Sequence, residues 1–388
     1  MSSYELAILG NWEPAEREAL TRTLRAMTSE FLLAEGDGFA IRIGAEVESR
    51  DPRSAAVAVY FGGPTRSDVD ITRRLIQAGI PVIPVVRSQD DFLAVIPDFL
   101  QSINGYRCRA DDIEMTELAA TMLECVGLLR IQRKAFVSYR RVESKDAAIQ
   151  LHDLLTARGF DVFLDTYDIR PGDPFQDMLW HRLCDSDVMI MLDTPGYFES
   201  KWTRYELGRA RIKGVHVLRV VWPGHTPSKS TDLAETIYLD AGELEGPDGP
   251  IAATTAERIV LTTERLRSRS IAARHMSITG KLRLDIETMG GSFEGIGANR
   301  SIIVRLPDER RIWAYPVVGI PTAETLNQIA AKARSSNQLE RPILLYDELG
   351  LREAWKDHLK WLNENISCVY ALTIDKAGWM LAAWDEPK

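Results

Sequence analysis

The chain has 388 residues, 45% of them hydrophobic and 27% charged, the balance of a folded globular protein and not of a disordered or low-complexity one. Its 47 Lys and Arg against 56 Asp and Glu give a net charge of −9, which argues against a protein built to coat nucleic acid or anionic membrane. No run approaches the ~20 apolar residues of a membrane helix. Residues Met1–Glu5 lack a signal peptide's basic and apolar regions, and Cys108, Cys125, Cys184 and Cys368 form no CxxC pair. These features predict a soluble cytoplasmic protein with reduced thiols, no sequence-local metal site and, at ~100–200 residues per domain, two or three domains.

Residues 1–130 alternate strand and helix. Strands are expected at Tyr4–Leu9, Phe39–Ile43, Ala55–Phe61 and Pro81–Val86, and helices at Glu13–Phe31, Asp68–Ala78 and Asp111–Leu129. That rhythm predicts a parallel, doubly wound, Rossmann-like module. Residues 133–274 repeat it, with strands at Ala135–Tyr139, Val162–Leu164, Val188–Leu192 and Val215–Val221. The helices there are Lys145–Arg158, Phe175–Leu183, Lys201–Lys213 and a closing Thr255–Arg274; Thr226–Pro250 reads as a loop. Residues 275–388 differ in texture. Strands at Ile302–Leu306, Ile312–Val318, Ile343–Tyr346, Cys368–Thr373 and Trp379–Trp384, with helices at Ala323–Ala333 and Leu351–Asn363 and a loop at Gly290–Asn299, predict a mixed α/β module for sensing or assembly. Ala55–Val86 and Asp187–Val221 share one plan of strand, Gly/Pro turn, helix, glycine and buried strand, which either duplication or two ordinary βαβ units would give.

The chemistry concentrates in the second segment. Ala135–Arg141 (AFVSYRR) is followed by Gly159–Asp165 (GFDVFLD), Asp168-Ile169-Arg170-Pro171-Gly172, Ser186-Asp187-Val188, Thr194-Pro195-Gly196-Tyr197, and Ser200-Lys201-Trp202 through Tyr205-Glu206-Leu207. An open parallel sheet binds ligands beyond the carboxyl ends of its strands. Tyr139 and Arg140 leave the first strand at that edge, Asp165 the second, and the Thr194–Ser200 loop a later one. Trp202 and Glu206 lie four apart and share a helix face. A phenol, a guanidinium, an indole and a carboxylate converging on one crevice suit a flat cationic ring joined to sugar and phosphates.

Plainer readings exist for each position. Thr203-x-x-Glu206 fits a capping box, and Glu206 could pair with Arg209. Trp202 could be core, one of Arg140 and Arg141 a solvated charge, and Asp173 and Asp177 helix-start residues. Elsewhere, Gly295–Arg300 contains GxG without a third glycine, the six histidines form no HExxH, and Ser138 lacks a GxSxG elbow. Glu353, Asp357 and His358 suit a solvated helix face, and Trp313, Trp355, Trp361, Trp379 and Trp384 suit a core.

Taken in order at their spacing, the second-segment motifs resemble the bacterial TIR (Toll/interleukin-1 receptor) domain, over about Arg133–Arg274. The resemblance implies a flavodoxin-like parallel sheet that takes NAD+ as substrate, needs no further cofactor and breaks the nicotinamide–ribose bond. Glu206 would be catalytic; Tyr139, Arg140, Asp165 and Trp202 would bind substrate; Asp168, Ile169, Arg170, Pro171 and Gly172 would form an assembly loop docking on a neighbouring TIR domain. It further implies a homo-oligomer or filament, an activating partner or signal, and an antiphage effector acting by NAD+ depletion. The alternatives are a cyclase making a cyclic ADP-ribose messenger and a non-enzymatic scaffold, with a nucleoside deoxyribosyltransferase more distant. In the first segment Asp70 or Ile71 occupies the place of Glu206, no tryptophan stands four residues before, and Gly10-Asn11-Trp12 replaces Tyr-Arg. That module is expected to be a degenerate, non-catalytic TIR-like or Rossmann-like unit.

Overall fold

The computed structural model describes residues 2–52, 54–109, 112–164, 175–228, 234–297, 300–336, 338 and 340–382. Its contacts divide the chain into two compact units, Met1–Ile131 and Gln132–Lys388.

In the first unit, strands β1 (Tyr4–Gly10), β2 (Phe39–Ile43), β3 (Ala55–Phe61), β4 (Val82–Val86) and β5 (Tyr106–Arg107) form a parallel sheet in the order β2-β1-β3-β4-β5. The helices are α1 (Pro14–Ser29), α2 (Val69–Gln77), the single turn α3 (Phe92–Val95) and α4 (Thr116–Cys125). α4 is shorter than the helix expected from Asp111 to Leu129. The Asp112 carboxylate accepts from the Thr116 and Glu117 amides at 2.8 and 3.0 Å, fixing the first turn there, and Gly127 at φ +76° ends it.

The second unit holds two modules. In the middle one, β6 (Arg133–Ser138), β7 (Phe160–Phe163), β8 (Val188–Asp193), β9 (His216–Val221) and β10 (Glu235–Tyr238) are ordered β10-β9-β8-β6-β7 and all run parallel. Both all-parallel sheets thus have the flavodoxin-like order 2-1-3-4-5. β10 lies inside the segment expected to be loop, and gives that sheet its outer strand. Helices α5 (Lys145–Thr156), α6 (Phe175–Asp185) and α7 (Lys201–Lys213) precede α8 (Ala253–Thr288). Strand alternation sorts the core. Ala135, Val137, Leu151, Ile190, Val220 and Ile259 pack on the α5/α8 face, while Phe136, Met189, Met191, Leu179, Leu183 and Leu207 pack on the α6/α7 face.

α8 does not stop at Arg274. Ile271, His275, Ile278, Leu282 and Ile286 are buried at helical spacing, so one apolar stripe runs through to the third module. There β11 (Ser292–Ile296), β12 (Ile302–Arg305) and β13 (Arg311–Pro316) pair antiparallel, and β14 (Ile343–Tyr346) and β15 (Tyr370–Thr373) add in parallel. Helices α9 (Ala323–Ser335), α10 (Glu353–Asn365) and α11 (Ala377–Ala382) complete the module. β11 lies within the expected Gly290–Asn299 loop. α11 replaces the expected final strand, because Ala377 and Leu381, four apart, are the buried pair and Trp379 is exposed.

A polar knot ties α8 to the middle sheet. Arg267, wholly buried, meets the equally buried Asp187 at 3.2 Å and Glu264 at 3.0 Å; Asp187 also accepts from the Lys134 amide at 3.0 Å, and Arg133 reaches Glu264 at 3.2 Å. Removing the arginine takes a buried counter-charge from both carboxylates. Arg267→Met is therefore expected to cost about 3–5 kcal/mol in urea unfolding. A second dependence comes from His181 on α6, whose ring faces Trp355 of α10 at 5.6 Å. Burial, aided by Arg352, pushes its pKa down to about 4. The unfolded chain then binds the proton first, so stability is full above about pH 6.5 and falls as pH drops towards 4. His275, lowered by burial, acts in the same sense. His181→Phe is expected to flatten this slope in pH-resolved unfolding, and an unchanged slope would exclude His181 as its source.

Candidate functional site

Strands β6, β8 and β9 end at one edge of the middle sheet, and α7 starts there. Ser200 caps α7, its hydroxyl accepting from the Trp202 amide at 3.2 Å. That cap sets the helix phase. Trp202 is 37% exposed at the first turn, whereas Glu206, four residues on, is buried. Thr203 turns its hydroxyl back to the Tyr197 and Ser200 carbonyls, so the expected capping box through Glu206 is not what holds the helix start.

The Glu206 carboxylate accepts from the Ser138 hydroxyl, and Ser138 Oγ lies 2.6 Å from the Tyr197 hydroxyl. Serine has one proton, so if it donates to Glu206 the Tyr197 hydroxyl must donate to Ser138. The result is a directed chain, Tyr197 to Ser138 to Glu206, inside the α6/α7 face. Burial and the nearby Glu206 charge both hold the Tyr197 phenol well above its ordinary pKa, which keeps it a donor. Neither Ser138 nor Tyr197 stood out as a site residue by spacing. The available signal was a serine on the inward face of an apolar strand, two residues after Phe136, where an unpartnered hydroxyl would be costly.

The predicted residues are distributed unevenly. Tyr139, one residue beyond Ser138, points to the other side of the sheet and is buried in the α5/α8 cluster with Leu151 and Trp222. Arg140 stays at the edge, paired with Glu143 at 2.7 Å and Glu199 at 2.9 Å. Its guanidinium lies against Gly196, where a Cβ would overlap it, and Glu143 also accepts from the Gly196 amide at 3.0 Å. Asp165 and the loop residues Asp168, Ile169, Arg170, Pro171 and Gly172 lie outside the described residues.

Asp193, at the end of β8, is fully buried, with one oxygen 3.2 Å from His225 Nε2. Burial raises its pKa, and His225 opposes the rise. Its other oxygen and the Thr194 hydroxyl are buried without a hydrogen-bond partner among the described residues. Polar atoms left over at a strand edge are suited to meet a ligand's hydroxyls or ordered water. Among the described residues no group of three or more His, Cys, Asp or Glu is placed to hold a metal ion, and no helix is long and apolar enough to cross a membrane.

The TIR domain family matches residues 135–250. The 2′ cyclic ADP-D-ribose synthase BtTIR of Bacteroides thetaiotaomicron is 24% identical over 112 residues, 27% of this chain and 39% of that relative, so the chain spans well under half of the relative's length. Among solved structures, the C-terminal domain of glucosamine-fructose-6-phosphate aminotransferase from Francisella tularensis aligns at 10% identity over 70% of this chain and 85% of its own. Its TM-score of 0.20 is too low to bear on the fold. Residues 135–250 are a TIR domain, and along the chain that domain lies between two other α/β modules.

Proposed function

We propose that the TIR domain is an NAD+ glycohydrolase that breaks the nicotinamide–ribose bond with Glu206. The observation that carries this reading is the placing of Glu206: a buried carboxylate at the ligand edge of a parallel sheet, oriented by Ser138, one helical turn from a half-exposed tryptophan. In cleavage, the C1′–N bond breaks with its electron pair going to nicotinamide, whose ring becomes neutral. Positive charge is left on the ribose, and a carboxylate beside it lowers the barrier. Water then adds at C1′ and loses a proton, giving ADP-ribose. Trp202 offers a ring for stacking, and Arg140 a cation for phosphate.

A second reading has a specific support. The relative BtTIR is named for making a cyclic ADP-ribose, and attack at C1′ by a hydroxyl of the same molecule in place of water would give such a product. The two differ only in the attacking oxygen. A role in antiphage defence, activated by oligomerisation through the Asp168–Gly172 loop and a trigger, is part of the proposal. The inward hydrogen bond of Glu206 fits an idle state that assembly would release.

Glu206→Gln keeps the shape and removes the charge, and is expected to lower NAD+ consumption by roughly 10²–10³-fold or more. Chromatography of the products separates linear from cyclic ADP-ribose, and a folded Glu206→Gln protein turning over at the parent rate would refute the assignment. Gly196→Ala is expected to push the Arg140 guanidinium and its Glu143 partner aside and leave the sheet intact, since the obstructing atoms end two flexible side chains. Loss of one charge-assisted contact would raise KM for NAD+ by about tenfold with kcat little changed.

A further inference from the structure

A large cavity in the second unit lies away from the Glu206 edge. It lies at the opposite end of α7, where the start of β9, α8 and the β13–α9 connection come together, and has a volume of about 850 Å³. That is within the ~300–1,000 Å³ usual for small-molecule sites. Its apolar lining includes Leu207, Ile278 and Val318, and its charged lining is four basic side chains, Arg211, Lys213, Arg269 and Arg274, against two acidic ones, Glu235 and Asp347. An excess of cations in a cavity of a protein carrying −9 overall is a local feature, not a reflection of composition.

The cations are set at different depths. Lys213 is buried, its ammonium held 2.8 Å from the Asp347 carboxylate and donating to the Asp347 and Leu349 carbonyls. Arg269 meets Glu235 at 3.3 Å, and that carboxylate is shared with Arg265. Arg211 is exposed at the rim and makes no side-chain hydrogen bond or ion pair among the described residues. Guanidinium groups at a rim above an apolar floor match a ligand with phosphate at one end and a flat ring at the other.

We propose that this cavity is a second ligand site, distinct from the Glu206 edge, for a phosphorylated small molecule of nucleotide size. The inference goes beyond the NAD+ reading and does not rest on it.

The test uses the full chain carrying Glu206→Gln, so that turnover plays no part, with ATP and inorganic phosphate as probes in titration calorimetry. Saturable binding of ATP below about 1 mM is expected, with phosphate at least about tenfold weaker for want of the ring. Arg211→Glu combined with Arg269→Glu should weaken ATP by at least about tenfold. Ser277→Trp, at an exposed lining position, should do the same by filling the space while leaving every charge in place. Trp202→Ala, at the other end of α7, should leave binding unchanged, with circular dichroism checking the fold of each variant. No saturable ATP binding, binding that survives either cavity change, or binding lost with Trp202→Ala would each overturn the proposal.

Discussion

Four consecutive residues just before β8, Cys184 to Asp187, are where the second unit is held together. The Cys184 and Ser186 carbonyls take the two ends of the Arg274 guanidinium at 2.8 and 2.7 Å. Asp185 takes Lys134 of β6 and, at 2.9 Å, the Ile320 amide of the third module. Asp187 takes Arg267 and the Lys134 amide. One short turn therefore fixes β6 to β8, α8 to the sheet and the third module to both. Charges this deep persist only when every partner is present, because each is costly to bury alone. The turn specifies one arrangement more than it adds net stability.

The ligand edge depends on that arrangement through α7. The helix is capped by Ser200 at one end and anchored by Lys213 at the other, so its rotation about its own axis is fixed twice. That rotation decides which of its side chains faces Ser138. A phase error of one residue, about 100°, would replace Glu206 with Tyr205 or Leu207. The chemistry proposed here thus relies on contacts lying six and seven residues from the carboxylate.

Much of the architecture was legible because the buried strands of parallel sheets are short apolar runs closed by turn residues, as at Ala55–Phe61 and Val188–Asp193. That Glu206 and Trp202 lie one turn apart on a single helix was legible from their spacing, and their common motif carries the resemblance to the family. What escaped was whatever depends on register or on distant partners. Tyr139 reads as a site residue from its place at a strand end, but the pleat turns it away and puts Ser138 inward. The early stop of the Asp111–Leu129 pattern depends on the Asp112 cap, and β11 becomes a strand only because β12 lies beside it. Trp379 reads as part of an alternating strand although the burial of Ala377 and Leu381 is helical.

α8 gives the protein an unusual mechanical character. At ~1.5 Å per residue its 36 residues extend about 54 Å, and its buried stripe serves the middle module first and the third module afterwards. No hinge separates the two, so neither can swing freely while the other stays still. Severing the chain near Arg274 would leave each half with a raw apolar seam, since Ile271 belongs to one side of the cut and Ile278, Leu282 and Ile286 to the other. The TIR domain and its C-terminal neighbour are in this sense one inheritable block, and a rearrangement that moved the family-matched segment alone would carry off only part of a folding unit.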